Sequence, residues 1–140
     1  MIWFQNNLTV EQMNQFGVNT IGEALGIRFV EIGDDYLKAT MPVDHRTKQP
    51  FGLLHGGASC VLAETLGSIA AYLVVDPQKY KCVGLDINAN HVRSATQGIV
   101  TGITKPIHIG STTQVWEIKI TDERDKLICI SRLTIAVIKA

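Results

Sequence analysis

The chain has no surplus of charge. Its 140 residues carry 13 Lys plus Arg against 13 Asp plus Glu, a formal net charge of zero. That balance leaves no basic footprint for nucleic acid and no polybasic segment for anionic lipid. Cysteine is scarce. Cys60, Cys82 and Cys129 are odd in number and widely spaced, so they make no disulfide framework, and no Cys-x-x-Cys occurs. His45, His55, His91 and His108 lack the spacing of a zinc site. A Gly-x-Ser-x-Gly elbow is missing, which argues against a serine hydrolase. No glycine-rich phosphate loop follows a strand. No basic-then-apolar leader is visible, and with unpaired cysteines this points to a reducing cytoplasm. Repeats, low-complexity tracts and linkers are also lacking, so a single domain is expected over residues 1–140. A chain of this length buries a respectable core but no deep internal pocket, so a second copy is expected to complete its site.

What is present is well patterned. Thr9-Val10-Glu11-Gln12 is a capping box that opens a short helix, and Thr20-Ile21-Gly22-Glu23 repeats it, with Gly26 as the stop. Strand-like runs follow at Ile27 to Ile32 and Tyr36 to Val43, joined by the hairpin signal Gly33-Asp34-Asp35. Residues 44–54 hold Pro50 and Gly52 and read as a loop. His55-Gly56-Gly57 then opens a long helix over Ala58 to Val75, ended by Asp76-Pro77. This run is long enough to consider as a membrane span, but Glu64 interrupts it and the flanking chain alternates like soluble strands. Apolar residues lie on nearly every face of it, so it reads as a central helix wrapped by other structure. Four more strands are expected at Lys81 to His91, Gly98 to Pro106, Thr112 to Thr121 and Lys126 to Ile138. The fold class is α+β, a curved antiparallel sheet around one helix.

Between Pro50 and Val75 the only formally charged side chain is Glu64. A carboxylate in such surroundings is costly to bury without a partner, and desolvation suits it to act as a base or nucleophile. The plainer alternative is an ion pair with Arg93 or Arg132. At the helix start, His55-Gly56-Gly57 offers unpaired backbone N–H groups and the positive end of the macrodipole, a place for a carbonyl oxygen gaining negative charge. Glycine there allows close approach, or simply eases the turn into the helix. Gly56 and Glu64 are separated by about 12 Å of helix at 1.5 Å rise per residue. One carbonyl cannot touch both in the same chain, so joint action requires an antiparallel meeting of two central helices across a two-fold axis. Ser68 lies one turn after Glu64, either to hold the carboxylate or a water, or as a small packing residue. Cys60 reads as a small apolar filler.

The chain resembles the hotdog-fold acyl-CoA thioesterases, the group that hydrolyses 1,4-dihydroxy-2-naphthoyl-CoA in menaquinone biosynthesis, and their aroyl-CoA relatives. The likeness runs through Met41 to Asp44, Gln49-Pro-Phe-Gly-Leu-Leu-His-Gly-Gly-Ala-Ser59, Leu62 to Ser68, Ile87 to Ala89, Lys105 to Gly110 and Trp116 to Ile118. It implies that Glu64 is the catalytic carboxylate and that Gly56 is the oxyanion donor. Gln49 and His55 would position and polarise the carbonyl, with Ser68 as the polar residue beside the carboxylate. His91 and Arg93 would bind the nucleotide end of coenzyme A. Here the sequence departs from the usual pattern, with Val92 and Ser94 where a second His and a Pro are common. The resemblance further implies a dimer of dimers, an acyl-CoA substrate and no metal or redox cofactor. A proofreading thioesterase acting on acyl-carrier proteins, an acyl-thioester hydratase or dehydratase, and a non-catalytic acyl-CoA sensor are the other readings open on sequence.

Overall fold

The computed structural model describes all of residues 1–140. In chain order the elements are α1 (Val10–Phe16), α2 (Ile21–Ala24), β1 (Arg28–Ile32), β2 (Leu37–Pro42), α3 (Gly56–Leu73), β3 (Tyr80–His91), β4 (Ile99–Ile109), β5 (Thr113–Thr121) and β6 (Leu127–Lys139). All six strands form one antiparallel sheet in the order β1-β2-β4-β5-β6-β3. The sheet curls around α3, so the expected α+β architecture is present. No helix is long and apolar enough to cross a membrane.

Local signals explain most boundaries. At α1 the capping box closes in both directions, Gln12 N donating to Thr9 Oγ1 at 3.2 Å and Thr9 N to Gln12 Oε1 at 3.0 Å. The second box is only half made. Thr20 Oγ1 accepts from Gly22 N, but the Glu23 carboxylate takes the Asn19 N–H instead of that of Thr20. Asn19 sits at φ 61, which turns its amide toward the glutamate. Gly26, at φ 75, is the stop.

Several boundaries shift by a residue or two, the end of the long helix from Val75 to Leu73 among them, and two shifts have a clear cause. The long helix begins at Gly56 rather than Ala58, because His55 serves as its N-cap and draws both glycines into the first turn. Strand β4 passes Pro106 and runs to Ile109; a register shift between Pro106 and His108 absorbs the missing proline N–H.

The concave face of the sheet buries Leu37, Met41, Val100, Ile118, Leu133 and Ile135 against Leu62 and Leu66 of α3. Contact is close: a Cβ built on Gly102 of β4 would stand 2.6 Å from Leu66 Cδ1. Trp116 is enclosed, stacks on Trp3 with ring centroids 6.5 Å apart, and donates from Nε1 to Gln114 Oε1 at 2.8 Å. Both tryptophans are packing residues.

Helix α3 is not wrapped on all sides by its own chain. Its buried residues are Ala58, Ser59, Leu62, Ala63, Leu66, Gly67, Ala70, Ala71 and Leu73. Between them runs a stripe that the chain covers only in part, Cys60-Val61, Glu64-Thr65, Ser68-Ile69 and Tyr72. The stripe repeats every fourth residue, as neighbours on one helix face do. Beside it lies β3, an edge strand whose outer side is unpaired and whose Val83 and Leu85 are exposed.

Leu66 is fully enclosed between α3 and β4. Leu66→Ala is expected to cost about 2–5 kcal/mol through lost transfer energy and a residual cavity. Chemical denaturation measures it as a lower midpoint at unchanged slope.

Candidate active site

The loop that leads to α3 is held by its own polar groups. Asp44 accepts from the backbone N, Nε and Nη2 of Arg46 at 3.0, 3.1 and 2.7 Å. These donors, the side-chain ones foremost, hold its carboxyl down at about 2. The Thr47 hydroxyl donates to Pro42 O at 2.7 Å, and His55 N donates back to Thr47 O at 2.8 Å. Gln49 N bonds Leu53 O at 2.8 Å, and its Oε1 accepts from Phe51 N. With that oxygen committed, the amide nitrogen of Gln49 is the group left to donate outward.

His55 caps α3 through its ring. Nδ1 accepts the Gly57 N–H at 2.7 Å, so that nitrogen is unprotonated in this arrangement and Nε2 carries the proton as a donor. The sequence reading gave His55 a positioning role but missed this cap, since histidine is not among the favoured N-cap residues. The cap consumes the Gly57 amide. The Gly56 N–H finds no acceptor in the chain and stands at the positive end of an 18-residue helix. His91, at the end of β3, covers Gly56 closely: a Cβ there would meet His91 Nε2 at 2.8 Å.

These residues gather in one cavity of about 380 Å³, lined by Gln49, Gly56, Ser59, His91, Arg93 and Ser94 among others. Four residues that the sequence singled out separately, Gln49, Gly56, His91 and Arg93, are brought together here. The sequence reading missed Ser59, buried on the inner face of α3, and it treated Ser94 only as a departure. His55 caps the helix at its edge.

Glu64 and Ser68 are not in that cavity. They line a second one, of about 400 Å³, with Ile21, Val61, Ile69 and Ile87. Glu64 is half-buried, and its carboxylate lies close to Gly84 of β3. It forms no ion pair, so the expected alternative of a structural partner in Arg93 or Arg132 is not formed. The reason is placement: Arg93 lies beyond the end of β3 in the first cavity, and Arg132 sits exposed on β6, in register with Asn88 and Glu117. Cys60 borders the same cavity. Burial pushes its thiol up and the Glu64 charge adds to this, the opposite of what an attacking thiolate needs. Cys129 behind it is pushed up to about 11 by burial.

A third cavity, about 320 Å³, separates α1 from the end of α3 and is walled by Phe4, Phe16 and Tyr72. It contains no carboxylate, imidazole or helix N-terminus. No three His, Cys, Asp or Glu side chains converge anywhere in the chain.

One chain thus presents two separate clusters: an amide-rich helix tip with an imidazole and a guanidinium, and an unpaired carboxylate in an apolar recess. A curved antiparallel sheet around one long central helix is the hotdog fold. Residues 51–129 match the model of the thioesterase superfamily, and the chain belongs to that family and is a thioester hydrolase. It is 58% identical, over 99% of its length and 100% of the relative's, to 1,4-dihydroxy-2-naphthoyl-CoA hydrolase of Escherichia coli. It is 52% identical over 98% of both chains to the proofreading thioesterase EntH of Cronobacter turicensis. Among solved structures, a mutant thioesterase of Pseudomonas aeruginosa superposes with a TM-score of 0.97 at 52% identity, covering all of both chains. A Haemophilus influenzae thioesterase gives 0.95 at 50% identity, over 99% of this chain and 96% of that one.

The tight approach of His91 to Gly56 has a measurable consequence. Gly56→Ala is expected to destabilise by about 1 kcal/mol through overpacking, and removal of the imidazole in Gly56→Ala/His91→Ala should relieve most of it. Thermal unfolding of the two singles and the double closes the cycle. Additive effects would mean that the ring does not press on this glycine.

Proposed function

We propose that this thioesterase hydrolyses an aromatic acyl-CoA, 1,4-dihydroxy-2-naphthoyl-CoA, to the free acid and coenzyme A, in a site shared by two copies of the chain. The observation that carries the reading is the division of groups along α3. Glu64 is unpaired at one place on the helix, and the free Gly56 N–H lies about 12 Å away by helix rise. An antiparallel partner helix brings the Gly56 amide of the partner subunit to the Glu64 carboxylate. The partly covered stripe on α3 and the unpaired edge of β3 are the surfaces available for that pairing.

In this arrangement the thioester carbonyl oxygen accepts from the Gly56 N–H, supported by the outward amide of Gln49 and the ordered start of α3 that His55 maintains. Charge that develops on the oxygen meets the helix dipole. Glu64 attacks the carbonyl carbon or takes a proton from an attacking water, and Ser68, one turn on, holds the carboxylate or that water. Collapse of the tetrahedral intermediate breaks the carbon–sulfur bond and expels the coenzyme A thiolate. Water supplies the oxygen of the acid, and no metal or redox cofactor takes part. His91 and Arg93 lie beside the Gly56 tip, where a guanidinium pairs with the phosphates of the nucleotide end. Two such dimers assemble into a tetramer, and the enzyme works in the cytoplasm as one domain.

The high identity to a naphthoyl-CoA hydrolase supports the acyl group. A second reading, hydrolysis of mischarged carrier-protein thioesters, is favoured by the identity to a proofreading thioesterase.

Two measurements test the proposal. Glu64→Ala should lower kcat/KM by about 10²–10⁴-fold, read as free thiol released from a panel of aroyl-CoA, fatty acyl-CoA and acyl-carrier substrates. Mixed dimers of Glu64→Ala and Gly56→Val subunits, each inactive alone, should recover about a quarter of native activity by random pairing, because one site of each heterodimer keeps both groups. No recovery, with heterodimers shown to form, would sink the shared site. Near-native turnover by Glu64→Ala would sink the catalytic assignment.

A further inference from the structure

The geometry points to Ile21, the first residue of α2, as the outer wall of the acyl pocket and a determinant of the acyl size that the enzyme accepts. The inference rests on the reading of Glu64 as the group that meets the thioester.

Every other side chain lining the Glu64 cavity comes from α3 or β3; Ile21 alone comes from the N-terminal helices. Together with Val61, Ile69 and Ile87 it makes a recess of branched aliphatic surface, in which Glu64, Thr65 and Ser68 are the polar members. Ile21 is nonetheless 60% exposed. A large aliphatic residue held at a cavity mouth and left uncovered is a surface that an apolar acyl group would cover.

The segment that carries it is fastened. The Asn14 side chain donates to Phe29 O at 3.1 Å and accepts from Phe29 N at 2.8 Å, so α1 is tied to β1. Between these ends the Thr20 hydroxyl donates to Gly17 O at 2.7 Å and accepts from Gly22 N at 3.2 Å. Ile27 N closes the far side on Gly22 O at 2.9 Å. Ile21 stands between two anchored neighbours, and its β-branch restricts χ1. The result is a fixed wall, which is what size selection requires. A hydrophobic pocket discriminates by about 10–200-fold for each methylene that fits or fails to fit.

The test compares two variants, Ile21→Ala and Ile21→Trp, on a bicyclic aroyl-CoA and on butanoyl-CoA. Thiol release gives kcat/KM for each. Kd for inert thioether analogues of the same two substrates gives a second readout without turnover. Expected is a shift of the bicyclic-to-butanoyl ratio by about tenfold or more in opposite directions: upward for Ile21→Ala, downward for Ile21→Trp. The ratio of Kd values should move in the same sense. Unchanged ratios, or an equal loss on both substrates in both variants, would overturn the wall. Failure of the native protein to release thiol from any acyl-CoA strikes the Glu64 reading instead. The analogue affinities then decide the wall on their own.

Discussion

The structure depends on how one helix is enclosed. A six-stranded sheet curls around α3 and buries the faces that carry Leu62, Leu66, Ala70 and Ala71. A single sheet of this size does not close on itself. It leaves the stripe through Cys60, Glu64, Ser68 and Tyr72 only partly covered by its own chain. An ionisable group in the middle of an otherwise apolar helix is tolerable only on such a stripe, because a carboxylate with no partner cannot be afforded inside the core.

Placing the carboxylate there divides the chemistry. The helix tip, capped by the His55 ring, offers the Gly56 amide at one end of that face, and Glu64 stands two turns along it. Rigid α-helical rise keeps the two apart within a chain, which is why the proposed site calls for a second copy. The β3 edge has the same unfinished character, with Val83 and Leu85 in water and one row of backbone groups unpaired. The N-terminal helices serve the same arrangement: through Asn14 and Thr20 they hold Ile21 at the mouth of the recess where Glu64 waits.

Much of this was legible in the residues. The lone charge at Glu64 and the capping box at Thr9 depend on local rules and stand where expected, and the strands do so to within a few residues, whereas the glycines after His55 fall inside the helix instead of before it. The second capping box was half right, since its reach depended on the backbone angle at Asn19. The cap role of His55 escaped because that residue type has low statistical weight at the position. The end of β4 was placed early because Pro106 usually stops a strand, and only the pairing with β5 shows that a shifted register carries it on.

The sequence by itself determined the element order, the fold class, the family and the identity of the unusual carboxylate. The element order, the fold class and the carboxylate follow from periodicity, capping and charge pattern, which act over a few residues; the family follows from the resemblance carried by the blocks around Gln49 to Ser59 and Leu62 to Ser68. Only the tertiary structure decided which residues share a cavity. It set Gln49, Gly56, His91 and Arg93 in one recess and Glu64 with Ser68 in another, left Arg93 and Arg132 of the same chain unpaired with Glu64, and brought Ile21 to its side. Those relations depend on β3 lying at the sheet edge beside β6, far from its neighbours in sequence, and no local rule contains the curvature that puts it there.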